Sequence, residues 1–166
     1  MIEKDLILSK NEIETINKLL LNLVRDSSSK CAILIDQDGS CICKKGLARD
    51  LNVDALAALV AGSFASTREM AKLVGEPEFT VLFHQGEKDH IHNMLVDENT
   101  ILTVIFDDKT TVGMVRLYTK EAVNKLSGFL QEARLRSRSI PKKSALNNNA
   151  EIQAGSNLDK LFDSDN

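Results

Sequence analysis

The sequence predicts an α/β domain ordered helix, two strands, helix, three strands, helix, with a five-stranded, mainly antiparallel sheet carrying helices on both faces. Three observations predict it. Apolar residues recur at helical spacing in three separate stretches. Five short apolar or alternating runs lie between them, a pair and then a trio, joined by short polar connections. With 166 residues at 43% hydrophobic, the chain can bury one core without a metal or a disulfide.

Each element has its own signal. Ser9-Lys10-Asn11-Glu12 fits a capping box, in which serine and glutamate each satisfy a backbone group at a helix start. Ile13, Ile16, Leu20, Leu23 and Val24 carry that helix to about Asp26, and the serines at 27–29 break it. Cys31–Ile35 and Ser40–Lys45 flank Asp36-Gln37-Asp38-Gly39, a β-hairpin whose glycine is available for positive φ. The second helix spans Leu51–Gly75, with Pro77 just beyond as stop chemistry. Phe79–His84, His90–Val96 and Ile101–Phe106 form a meander, and Thr103, Val104 and Ile105 place the last strand inside the sheet. Thr110 or Thr111 caps a final helix whose stripe is Val112, Val115, Ala122, Val123, Leu126, Phe129, Leu130 and Ala133, ending near Ser137.

These signals delimit a domain over residues 9–137. Residues 138–166 read as a flexible C-terminal tail, because Pro141, the asparagines at 147–149 and Gly155 accompany few apolar groups. Within it Leu158, Leu161 and Phe162 fall on one side of a short capped segment near 157–163, able to fold into a partner's groove. Arg134, Arg136, Arg138, Lys142 and Lys143 concentrate positive charge where the last helix ends. That charge complements the helix dipole, or meets an acidic partner or an anionic membrane.

Composition narrows the function classes. A net charge of −3, one tyrosine and no tryptophan argue against nucleic-acid binding. No run reaches the length of a membrane span, and the first nine residues lack the apolar core of a secretory signal. With three cysteines, an odd number, these features place the chain in the cytoplasm.

Motifs for chemistry are sparse. His90 and His92 share a strand face with His84 on the preceding strand, but zinc needs a third and usually a fourth convergent ligand. They read as ordinary edge or hairpin histidines. Cys41 and Cys43, also spaced for one face, read as small apolar residues. Asp36-Gln37-Asp38-Gly39 resembles the opening of a calcium loop, yet Cys41 and Leu47 occupy the positions that need glycine and a bidentate glutamate. There is no phosphate cradle, dinucleotide fingerprint or nucleophile elbow. No catalytic set, metal or cofactor is expected.

The second helix is the most informative segment. Leu56, Leu59, Val60, Ser63, Thr67, Met70 and Val74 form a stripe to cover the sheet, leaving Ala57, Ala58, Ala61, Gly62 and Ala65 outside. Charge enters only near the ends, at Asp54, Arg68, Glu69 and Lys72. Alanine fills surface helix positions through propensity alone, but such small residues on one side also admit a second protein surface. The expectation is a docking face.

The element order and four segments resemble the Roadblock family of small α/β dimers of dynein light-chain type, and within it the bacterial MglB-like branch. The segments are Cys31–Gly39, Ala57–Gly62 leading to Ala65–Ala71, Phe79–Gly86, and Thr103–Asp107 before Val112–Leu117. The resemblance implies a homodimer joined at Phe79, Val81 and Phe83, with Ala58 and Gly62 where paired second helices meet. It implies a partner, the GTP-bound form of a small Ras-like GTPase of the MglA type, contacting Ala57, Ala61, Phe64, Ala65, Arg68 and Lys72, with Leu158, Leu161 and Phe162 as a second contact. The implied activity is stimulation of GTP hydrolysis by ordering the switch regions, in cell polarity or motility and with recruitment to a cell pole. A Roadblock adaptor that leaves the rate unchanged and a metal or small-molecule sensor using the histidines are the alternatives.

Overall fold

The computed structural model describes residues 6–47 and 49–139. The order is α1 (Lys10–Ser27), β1 (Cys31–Asp36), β2 (Cys41–Gly46), α2 (Val53–Val74), β3 (Val81–His84), β4 (His90–Asp97), β5 (Thr100–Phe106) and α3 (Val112–Ser139). Leu8–Gln131 form one compact unit, and Glu132–Ser139 group with Leu6 and Ile7 in a second. In the second unit Ser137 Oγ donates to the Ile7 and Ala133 carbonyls. Arg138 and Ser139, the first two residues of the expected tail, belong to α3, and the rest of it, with the short segment holding Leu158, Leu161 and Phe162, lies outside the described residues.

The capping box forms as expected: the Ser9 backbone N–H donates to the Glu12 carboxylate at 2.7 Å, and the Glu12 N–H returns to Ser9 Oγ. At the other end of the first unit's sequence, Thr111 Oγ1 accepts from Met114 N–H and opens α3. The strands lie in the order β2-β1-β5-β4-β3, each antiparallel to its neighbours. β5 is central, in keeping with its apolar sequence, and β2 and β3 are the edges.

Register divides the sheet into two faces. Cys31, Ile33 and Ile35 of β1 lie opposite Ile105, Thr103 and Ile101 of β5 and meet Ala57, Val60 and Phe64 of α2 in one apolar cluster. The alternating residues Ala32, Leu34, Leu102 and Val104 are buried on the other face, which α1 covers at β1 and β2. α3 serves the same face farther along, where Arg116 and Lys120 stand beside His92 and Met94 of β4.

Four expectations need correcting. First, α2 is turned by roughly 80°, less than the 100° of a single residue. Its inward residues are Ala57, Val60, Ala61, Phe64, Thr67 and Ala71, whereas Leu59, Met70 and Val74 face out. β1 already supplies bulk with Ile33 and Ile35, so alanines on the facing side let the helix lie close while Phe64 fills the remaining space. Second, β3 begins at Val81, leaving Phe79 outside the strand; Pro77, just before, has no N–H to give a ladder. Third, a bulge places Cys41 opposite Ile35 but Cys43 opposite Leu34, so the two thiols take opposite faces. Fourth, His92 is a core residue with 1% exposure, not an edge histidine.

Candidate functional site

The surface that stands out is the outward side of α2. The helix starts at Asn52, whose side chain accepts from Ala55 N–H at 3.0 Å, and stops at Gly75, where a left-handed φ of 78° lets the backbone close onto Ala71 and Lys72. Between these caps Leu59, Gly62, Ser66, Met70 and Leu73 follow one another at intervals of three or four residues and share one exposed stripe. Leu59 is 70% exposed, Met70 52% and Leu73 87%. Large apolar side chains left wet along one helix make this side the candidate surface for contact with another protein.

The polar groups nearby are already occupied. Ser63, Ser66 and Thr67 hydroxyls donate to the carbonyls of Leu59, Gly62 and Ser63, one turn back, which withdraws their protons from any partner. Lys72 Nζ bonds Glu69 at 2.6 Å, and Arg68 Nε stands 4.0 Å from Glu78. These are exposed pairs of small energetic weight, but they neutralise the charge beside the stripe.

The expected GTPase contacts divide on this geometry. Ala65 and Lys72 are exposed and Arg68 is half-buried, so all three can reach a partner. Ala57, Ala61 and Phe64 are buried against the sheet and cannot. Among the expected dimer contacts, Ala58 and Gly62 are exposed, and an added Cβ at Gly62 would meet nothing within 4 Å. The small size at Ala58 also has an internal cause: its Cα would stand 3.0 Å from a Cβ on Gly39, the hairpin glycine at φ +90°. Phe79 and Val81 are exposed, whereas Phe83 is half-buried and stacks on Phe106 with 6.2 Å between centroids. Strand β3, which holds Val81 and Phe83 but not Phe79, is an open edge with an apolar sequence, Val81-Leu82-Phe83.

The sequence reading missed the Leu59, Met70 and Leu73 stripe. The signal was available, since α2 carries apolar residues at helical spacing on two sides and one sheet can cover only one.

Other candidate residues do not converge. His84 pairs with Ile91 and turns to the face of Asn93, its Nδ1 lying 3.4 Å from the Asn93 amide, so it stands opposite His90 and His92. Asn93 is in turn held by Thr103 Oγ1, which donates at 2.8 Å. His90 sits between Phe83 and Phe106 and accepts from Gly86 N–H on Nδ1. Among the described residues no three His, Cys, Asp or Glu side chains are placed to hold a metal ion. Burial pushes the thiols of Cys31, Cys41 and Cys43 above their ordinary range, opposite to what a reactive cysteine needs. Asp36 and Asp38 turn their carboxylates to the backbone N–H groups of Gln37 and Ser40, as a hairpin turn requires. No described helix is long and apolar enough to cross a membrane.

Comparison with known proteins agrees with this architecture. The Roadblock/LC7 domain matches residues 15–106. MglB of Myxococcus xanthus is 36% identical, with a TM-score of 0.69 over 71% of this chain and 96% of that one. The gliding protein MglB of Thermus thermophilus is 31% identical, with a TM-score of 0.74 over 79% of this chain and 99% of its own. An MglB with a tetrameric arrangement gives 31% identity and a TM-score of 0.75, over 80% and 99%.

Proposed function

From the premise that this chain belongs to the Roadblock/LC7 family, in its MglB-like branch, we propose that it regulates a small Ras-like GTPase of the MglA type. It docks the GTP-bound form and stimulates hydrolysis by ordering the switch regions, with a role in cell polarity or motility. The observation that carries this reading is the exposed apolar stripe of α2.

The mechanism asks for no reactive group from this chain. GTP hydrolysis rests on positioning water and stabilising charge on the phosphates, so a partner accelerates it by holding a mobile switch loop in its productive arrangement. A stripe built from Leu59, Met70 and Leu73, with Gly62 and Ser66 between them, suits an apolar switch segment. Arg68 and Lys72 border it, and Ala65 completes the contact. The active unit is a homodimer in which the β3 edges of two subunits pair through Val81 and Phe83, with Phe79 beside them. Ala58 and Gly62 then bring the two α2 helices together. The similarity to an MglB of tetrameric arrangement supports assembly beyond one chain. The segment with Leu158, Leu161 and Phe162 supplies a second contact to the GTPase.

Phosphate release from a GTP-loaded MglA-type GTPase tests the proposal. The rate rises with added protein and saturates. An adaptor gives the same complex on a sizing column with an unchanged rate.

A further inference from the structure

A second site lies on the opposite face of the sheet, between α3 and the β3–β4 edge. There Val81, His92, Met94, Arg116 and Lys120 line a cavity of about 370 Å³. That size falls in the range of small-molecule pockets. Val81 and Met94 are directly paired across β3 and β4, so their side chains share this face, and edge pairing through the β3 backbone leaves them there.

Two features give the cavity its chemistry. Arg116 and Lys120 are four residues apart on α3, hence adjacent on the helix surface, and among the described residues neither forms an ion pair. His92, at its wall, is 1% exposed and its Nδ1 has no hydrogen-bond partner. Burial, and then the Arg116 charge, lower the His92 pKa to about 4, so its imidazole is neutral at pH 7 and adds no third cation.

We propose that this cavity binds a small amphipathic carboxylate, an acid group on a short aliphatic or aromatic skeleton. Arg116 and Lys120 hold the carboxylate through charge-assisted hydrogen bonds, and Val81, Met94 and His92 receive the carbon body. Inorganic phosphate satisfies the cations but leaves the apolar wall against a hydrated ion. A neutral hydrocarbon satisfies the wall alone. Only a ligand with both parts uses all five residues.

Methyl and imidazole NMR of the full chain, titrated with hexanoate and separately with inorganic phosphate, tests the site. Hexanoate gives saturable shifts at the Met94 and Val81 methyls and the His92 ring. The double substitution Arg116→Gln/Lys120→Gln, at two exposed positions that keep the fold, weakens binding at least about tenfold. Met94→Glu, which puts a carboxylate in the cavity, abolishes it. The proposal is overturned by absent saturation with hexanoate, by phosphate binding as tightly, or by unchanged affinity in the double variant. GTPase stimulation, read in parallel on the same variants, stays at the wild-type level, so failure of this site and failure of the docking reading are separate results.

Discussion

The two sides of α2 use apolar residues in opposite ways. Inward, Ala57, Ala61 and Ala71 are small and let the helix lie close to β1, with Val60 and Phe64 as the main bulk. Outward, Leu59, Met70 and Leu73 are large and meet water. Side-chain size therefore does not report which side is buried: the sheet supplies the bulk inside, and the helix supplies it outside. A large apolar residue left wet costs about 1.5–3 kcal/mol relative to burial, so a stripe of three gives a partner much to gain by covering it.

Substitutions on the two sides should separate stability from association. The largest effect belongs to the inner side, where Phe64→Ala lowers the unfolding free energy by about 3–5 kcal/mol in urea titration. If Phe64→Ala proved neutral, the inward assignment of α2 would fail. A control from the other face of the sheet comes next. His92 titrates near pH 4 when folded, below its ordinary 6.5, so the unfolded chain binds the extra proton between those values. Stability contributed by the neutral buried ring is thus full above pH 6.5 and lost as pH falls toward 4, by at most about 1.4 kcal/mol per unit. His92→Leu removes that part of the acid slope in parallel melts.

Smaller changes sharpen the outer side. Asn52→Ala removes the cap of α2 and costs about 1 kcal/mol in the same urea titration. Gly62→Ala, at an outward helical position with open space around its Cβ, raises stability by about 0.5–1 kcal/mol, which differential scanning calorimetry resolves.

Much of the fold was legible because it rests on local chemistry. The Ser9 capping box, the Gly75 stop, the hairpin at Gly39 and the central position of β5 follow from residues close in sequence. The rotation of α2 did not, since it depends on which side chains β1 presents, a contact between segments far apart in the chain. The same holds for His92: strand alternation gives its face, but only the packing of α3 above it determines its burial. The bulge that parts Cys41 from Cys43 leaves no mark in the alternation of the strand itself. The candidate site was thus legible as a helix and only half legible as a surface: Ala58, Gly62, Ala65, Arg68 and Lys72 are accessible, whereas Ala57, Ala61 and Phe64 belong to the core.

The most direct test of the docking account is single-turnover GTP hydrolysis by an MglA-type GTPase with wild-type protein and with Leu73→Arg, both checked by circular dichroism and thermal melt. The substitution puts a long cation on the stripe at a position that is 87% exposed and away from the proposed Ala58 and Gly62 helix contact, so the fold and the dimer are kept. The account predicts an unchanged melt and hydrolysis reduced to the GTPase's intrinsic rate. Full stimulation by folded Leu73→Arg protein would contradict it.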